Sequence, residues 1–240
     1  MVSVPPIGAL LFDVQGTATD FHSTLCAAAA DIARDRFPDV DWARFVNEWR
    51  AAYFRATSTP RTAADPWISV AGIYRTTLGD LLDERGIGLT EPERDELAAA
   101  WSRLRPWPDV VPGLRRLRTR YTLATLSNAD VSAVVGITRH GDLPWHAVFT
   151  AEMAGVFKPD PAIYAMAARY LGLEPARIMM VASHKYDIRA AGALGFRTAF
   201  VARPLEFGAG SPADTEFSDE FDLNVTGFED LADRLGCPPD

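Results

Sequence analysis

The stretch at residues 9–16, ALLFDVQG, constrains the fold more than any other part of the chain. Four apolar residues run directly into Asp13, and a glycine follows three residues later. A short apolar run bounded by turn residues suits a strand buried on both faces, as in a parallel sheet. An Asp at the carboxyl end of such a strand stands where open α/β sheets gather their chemistry. The same Asp would serve equally well as a cap for the next turn or helix, and residues far down the chain decide between the two.

Downstream, residues 24–37 are alanine-rich with helical spacing. Residues 41–56 predict a second helix, with Trp42, Phe45, Val46, Trp49, Tyr53 and Phe54 recurring at i, i+3/i+4. Residues 58–66 are polar, contain two prolines and predict a loop. Residues 67–85 and 92–104 predict two more amphipathic helices, and no convincing strand occurs between 24 and 104. The run PWPDVVPG at 106–113 marks a boundary with its prolines and closing glycine. Beyond it, strands at 121–126, 147–150, 177–181, 198–201 and 221–225 alternate with helices at 161–171 and 188–194. Alternating βα units imply a parallel sheet covered by helices. The strand at 9–13 must join that sheet, because it cannot stand alone. The expected architecture is therefore α/β: a Rossmann-like parallel sheet with helices on both faces, built from residues 1–20 and 108–240. A helical insert, residues 21–107, follows the first strand.

Charge narrows the partners. A net charge of -8 and a pI near 5.0 exclude the basic footprint that nucleic acid or an anionic membrane requires. No apolar run approaches the roughly 20 residues of a membrane span. The N-terminus lacks a basic segment and its apolar run ends in Asp13, so it does not read as a signal peptide. Cys26 and Cys237 match no metal or redox spacing. A cytoplasmic protein is expected.

Polar residues end each core strand: Asp13, then Ser127–Asn128, then Ser183–His184 with Asp187. Lys158 lies in FKPDPAIY, just ahead of a proline-opened helix. In a parallel sheet these ends share one edge, so the groups converge. An Asp flanked by a hydroxyl, an amide and an ammonium stays ionised, and a fixed carboxylate of that kind is a plausible nucleophile. Arg50 lies on or beside an apolar helical stripe with Val46, Trp49, Tyr53 and Phe54. It either snorkels over that stripe or faces a ligand.

Asp13 in FDVQGT, Ser127–Asn128 in TLSN, Lys158 in FKPDPAIY and Asp187 in VASHKYD resemble, in order and spacing, the four motifs of the haloacid dehalogenase superfamily. The helical insert resembles that superfamily's cap domain, and the resemblance covers nearly the whole chain. Phosphatases of the superfamily carry a second Asp two residues after the nucleophile and hold magnesium with acidic residues in the fourth motif. Here Gln15 stands at the first place and Asp187 is the only carboxylate at the second, a poor magnesium cradle. The metal-free branch, the L-2-haloacid dehalogenases, fits better. EWRAAY resembles that branch's cap helix, whose arginine meets halide and substrate carboxylate; Arg50 is the match. RPWPDVVPGL and FVARPLEFG resemble this family too.

The resemblance implies a hydrolase that needs no metal or other cofactor and acts on a small 2-substituted carboxylate, with a homodimer as the family's common state. Asp13 would attack the carbon bearing the leaving group and form an aspartyl ester that water then cleaves. Lys158 would hold Asp13, Asp187 would orient Lys158 or help activate water, and His184 is the candidate base. Arg50, Ser127 and backbone N–H groups near Asn128 would bind the carboxylate. Phe54, Tyr164 and Tyr186, together with Trp49, Tyr53, Trp67 and Phe157, would wall the pocket or simply pack the core. Two departures stand out: Gln15 replaces an aromatic residue, and Ala18 a bulky apolar one. A relative in the same branch opens azetidine-2-carboxylate, and the Gln15 amide oxygen would there accept a hydrogen bond from the ring nitrogen. A magnesium-dependent phosphatase and a non-catalytic binding protein on the same scaffold are the other readings.

Overall fold

The computed structural model describes residues 6–58 and 65–239. The first elements are β1 (Ala9–Phe12), β2 (Thr19–Asp20), α1 (Phe21–Ala33), α2 (Trp42–Thr57), α3 (Val70–Glu84), α4 (Glu91–Ala99) and β3 (Arg105–Pro106). Then come α5 (Val110–Arg118), β4 (Thr122–Ser127), α6 (Val131–His140), β5 (Ala147–Thr150), α7 (Ala151–Ala154) and α8 (Pro161–Leu171). The chain ends with β6 (Ile178–Ala182), α9 (Lys185–Ala193), β7 (Arg197–Val201), β8 (Leu223–Val225) and α10 (Phe228–Arg234).

Six strands form one parallel sheet in the order β5-β4-β1-β6-β7-β8. The chain leaves β1, builds outward to β4 and β5, and returns to β6 on the other side. That reversal is the topological switch point at which open α/β sheets bind ligands. β1 is central and wholly buried, which explains why it is apolar throughout rather than alternating. Phe12 packs between Trp145 and Phe228, with ring centroids 5.1 and 5.0 Å away. Phe12 is also in register with Thr125 and Val181. Asp13, Ser127–Asn128 and Ser183–His184 therefore emerge at nearly the same level of one sheet edge.

α1 to α4 form the helical insert between β1 and β4. A two-stranded ribbon, β2 with β3, closes its base. Asp130, just past β4, ties the insert to the sheet. Its carboxylate accepts from the backbone N–H groups of Val70 and Ala71 (3.0 and 2.8 Å), from Trp67 Nε1 and from Ser69 Oγ. A carboxylate at the start of α3 also suits the helix dipole.

Several elements differ from the sequence expectations. α1 starts at Phe21, capped by Asp20, rather than at residue 24. α3 starts at Val70, so Trp67 lies outside it. α4 stops at Ala99 and a 3-10 turn, Ala100–Ser102, follows. α5, α6 and α10 were not foreseen. α5 begins within the proline run at 106–113: Pro112 sits in its first turn, where a missing N–H costs nothing. Gly113 is needed there, because a Cβ would meet the Phe228 backbone of α10 at 2.5 Å. Most of the expected loop at 58–66 lies outside the described residues.

Candidate active site

Asp13 follows β1 directly and is nearly fully buried. Three donors hold its carboxylate. Lys158 Nζ donates to Oδ1 at 2.9 Å. Thr17 Oγ1 donates to Oδ2 at 2.7 Å, and His184 Nδ1 lies 3.1 Å from the same oxygen. Burial alone would raise the Asp13 pKa. The Lys158 ammonium and the His184 and Thr17 donors outweigh it and hold the carboxyl well below the usual range.

Thr17 is reached by a tight turn. Gly16 has φ +94°, a conformation that L side chains rarely adopt, and a Cβ there would meet Glu206 Oε1 at 2.4 Å. Glu206 in turn faces His184: Nε2 lies 2.8 Å from Glu206 Oε1. Both nitrogens of the ring thus face carboxylate oxygens, which only accept, so both carry protons. Burial opposes the charge, but Glu206 and Asp13 prevail and the His184 pKa is pushed up to about 10. A ring protonated at both nitrogens donates to Asp13 Oδ2 and to Glu206 Oε1 and has no free nitrogen to accept a proton.

Lys158 bridges two carboxylates, since its Nζ also donates to Asp187 Oδ2. Tyr164 OH donates to the other Asp187 oxygen at 2.6 Å. Desolvation lowers the Lys158 pKa, but Asp13 and Asp187 raise it further, so the ammonium is kept. The Asp187 pKa is raised, chiefly by burial, with Lys158 opposing and Asp13 adding to it. Tyr164 therefore positions Asp187 from behind instead of walling a substrate pocket, which corrects that expectation. The Asn128 side chain clamps the Lys158 backbone, accepting from Lys158 N at 2.7 Å and donating to Lys158 O at 3.1 Å. Ser127 lies buried at the end of β4.

Arg50, on α2, is 3% exposed. Its guanidinium carbon sits 4.5 Å from the Phe54 ring centroid, 4.7 Å from Tyr53, 5.1 Å from Phe21 and 5.5 Å from Trp101. This is an aromatic cage, not a snorkelling arginine. Arg50 Nη1 donates to Gln15 Oε1 (2.9 Å) and to Tyr74 OH (2.6 Å), and Nη2 donates to the Gln15 carbonyl. Tyr74 OH donates to the same Gln15 Oε1 at 2.9 Å. That oxygen is already shared by two donors, so it is not available to a substrate ring nitrogen, and the ring-opening role expected for it is corrected. Phe54 reaches the site edge, 6.2 Å from the His184 ring, and Tyr186 stacks beside His184 at 5.8 Å. Trp49 packs against Tyr74 and Trp101 in the core, and Trp67 packs on Phe157. Ala18 is fully buried.

Sequence reasoning missed Glu206, Thr17, Tyr74 and Asp130. Glu206 lies in the noted run FVARPLEFG, where a lone acidic residue among apolar neighbours was its signal. A magnesium ion does not fit this donor set: the Asp13 oxygens already face the Lys158 ammonium and the His184 ring, which leave no free carboxylate oxygen for a further cation. Among the described residues no three His, Cys, Asp or Glu side chains are grouped to hold a metal, and no helix is long and apolar enough to cross a membrane.

Comparison with known proteins agrees with this geometry. The (S)-2-haloacid dehalogenase 4A of Burkholderia cepacia is 27% identical over 228 residues, covering 90% of this chain and 89% of that one. The crystal structure of an L-2-haloacid dehalogenase superposes with a TM-score of 0.88 at 37% identity, covering 95% of this chain and 99% of that one. A defluorinating L-2-haloacid dehalogenase superposes with a TM-score of 0.90 at 34% identity, covering 96% of each. The family model of haloacid dehalogenase-like hydrolases matches residues 7–195, and this chain belongs to that family.

Proposed function

We propose that the protein is an (S)-2-haloacid dehalogenase that works through an aspartyl ester at Asp13 and needs no metal. The observation that carries this reading is the buried, ionised Asp13 carboxylate between Lys158, Thr17 and His184, with the Arg50 cage close by. Oδ2 has two donors and Oδ1 has one, so Oδ1 is the better nucleophile. It attacks C2 of the substrate from the side opposite the halogen. The O–C2 bond forms, the C2–halogen bond breaks, and the electron pair leaves with the halide. Configuration inverts, so an (S)-2-haloacid gives an (R)-2-hydroxy acid.

Water then attacks Cγ of the ester. Oδ2, now the carbonyl oxygen, takes up negative charge between Thr17 and His184, which act as a preorganised oxyanion site. Asp187, its pKa raised, takes the proton of the water. Collapse breaks the Cγ–Oδ1 bond, and Lys158 gives a proton to the departing alkoxide and regains one from Asp187. Asp13 then returns one proton to solvent. The sum is haloacid plus water to hydroxy acid, halide and a proton.

In this reading residues 21–107 act as the cap that carries Arg50 over Asp13. Arg50, Ser127 and backbone N–H groups near Asn128 hold the substrate carboxylate, and Phe54 and Tyr186 border the pocket. The reading extends to a cytoplasmic homodimer, and a monomer mass by light scattering would remove the dimer from it. The decisive test is a single turnover of (S)-2-chloropropionate in oxygen-18 water, with excess enzyme and EDTA. Chloride release with heavy oxygen in Asp13 is expected. Chloride without label in Asp13 would refute the ester, and turnover only after magnesium is added would refute metal independence.

A further inference from the structure

The turn that carries Thr17 has three successive carbonyls held by Trp107 and Arg203, neither of which hydrogen-bonds Asp13. Trp107 Nε1 donates to Gly16 O at 2.9 Å, Arg203 Nε to Thr17 O at 2.8 Å and Trp107 N to Ala18 O at 3.2 Å. Arg203 lies just after β7 and is 6% exposed. Its Nη1 and Nη2 fork onto the two Asp109 oxygens at 2.8 and 3.0 Å. Its guanidinium carbon lies 5.6 Å from the Trp107 ring centroid and 5.3 Å from that of Phe228. Asp109 Oδ2 also accepts from Phe228 N at 2.7 Å. A buried ion pair is weak evidence for stability, so its geometry asks for another use. The same stretch of chain serves His184. Glu206 N donates to Arg203 O at 3.1 Å, and the turn so formed presents Glu206 Oε1 to His184 Nε2. Both Thr17 and His184, the donors to Asp13 Oδ2, therefore trace back to one anchor.

We propose that Arg203, braced by Asp109 and Trp107, is a positioning residue for cleavage of the ester: it sets Thr17 and, through Glu206, His184 where negative charge gathers on Oδ2. The inference rests on the aspartyl-ester reading. The two steps load Oδ2 in opposite senses. As the ester forms, the charge shared by the carboxylate drains from Oδ2 and leaves with the halide. When water attacks Cγ, the Cγ–Oδ2 double bond opens, its electron pair moves onto Oδ2 and the water proton passes to Asp187. Donors aimed at Oδ2 thus hold the transition state more tightly than the ground state in the second step alone. A displaced Thr17 slows that step and spares the first.

The test uses Arg203→Lys, with Trp107→Phe beside it. Lysine keeps a positive charge for Asp109, but its single nitrogen cannot serve that carboxylate and the Thr17 carbonyl as the fork and Nε do. Phenylalanine keeps a ring beside Arg203 and loses the N–H that holds Gly16 O. Single turnovers of (S)-2-chloropropionate with excess enzyme are quenched at intervals. Chloride reports ester formation, and the mass of the peptide containing Asp13 reports ester decay. Ester decay is expected to slow about 10-fold in Arg203→Lys and about 5-fold in Trp107→Phe, as for a lost charged and a lost neutral hydrogen bond. Chloride release should stay within about 2-fold, so the ester accumulates. A merely structural defect would lower the active fraction and leave the ratio of the two rates unchanged. Equal slowing of both steps, or ester decay at the native rate, would overturn the proposal. If Arg203→Lys does not fold, the two rates in Trp107→Phe decide it alone. Failure of the underlying reading is separately visible in the native protein, as chloride released without oxygen-18 entering Asp13.

Discussion

Glu206→Gln keeps the shape of the side chain and removes one negative charge from the far side of His184. The two groups are 2.8 Å apart, with their side chains 4% and 13% exposed, so little water screens them. A charge-assisted bond of this kind is worth about 1.5–3 kcal/mol, or about 1–2 pKa units. His184 should then titrate near ~8–9 instead of about 10. The native value lies above that of a free histidine. The stabilisation is therefore complete below about pH 6.5 and is lost as pH rises through the folded value; in the variant that loss begins earlier. The hydrogen bond to Asp13 survives, because a neutral ring protonated on Nδ1 still donates to Oδ2 while the introduced amide faces Nε2. Only the positive charge goes. Halide release from (S)-2-chloropropionate, followed from about pH 6 to about pH 11, should show the falling limb move down by about 1–2 units, with little change at its acid end. A nitrogen NMR titration reads the ring directly, and His184→Asn identifies its signal among the 4 histidines. A shifted NMR pKa with an unmoved activity limb would refute the need for the charge, and an unmoved NMR pKa would refute the pairing itself.

Other replacements follow from the same geometry. Asp13→Asn should abolish halide release, and a burst of halide with no label in the peptide containing residue 13 would contradict its role. Lys158→Met leaves two carboxylates facing each other in the core. Thermal melts should show a loss of about 3–5 kcal/mol, and the Asp13 pKa should rise, so that any residual activity falls off at higher pH on the acid side than in the native protein. Arg50→Lys keeps the charge but loses the fork that holds Gln15 and Tyr74 together. A drop in kcat/KM of about 100-fold or more is expected, as for about 3 kcal/mol of lost transition-state contacts, and a change under 3-fold would remove Arg50 from the site. Asp130→Ala strips the start of α3 of its acceptor and should cost about 2–4 kcal/mol, read as a lower urea midpoint.

The sequence by itself determined the parallel sheet, its central strand and the helical insert. Uniform apolar runs ending in polar residues have few other folds to enter, and the ends of parallel strands must share an edge. It also placed Asp13, Lys158 and Asp187 together, because strand topology brings them to one edge, whereas Arg50 was placed there only by the resemblance of its helix to a cap helix. Tertiary structure alone decided what each group faces. Whether His184 is a base or a cation depends on Glu206, a residue 22 positions later in a loop, and no periodicity links the two. Whether Gln15 offers an oxygen or an N–H depends on Arg50 and Tyr74, brought to it from α2 and α3 by packing of the insert onto the sheet. The helix α5 went unseen for a related reason: it begins among prolines, and the α10 backbone that packs against its Gly113 comes from the far end of the chain. Chain order reveals which groups meet. Protonation and donor direction follow from contacts made across the fold, and those set the chemistry of this site.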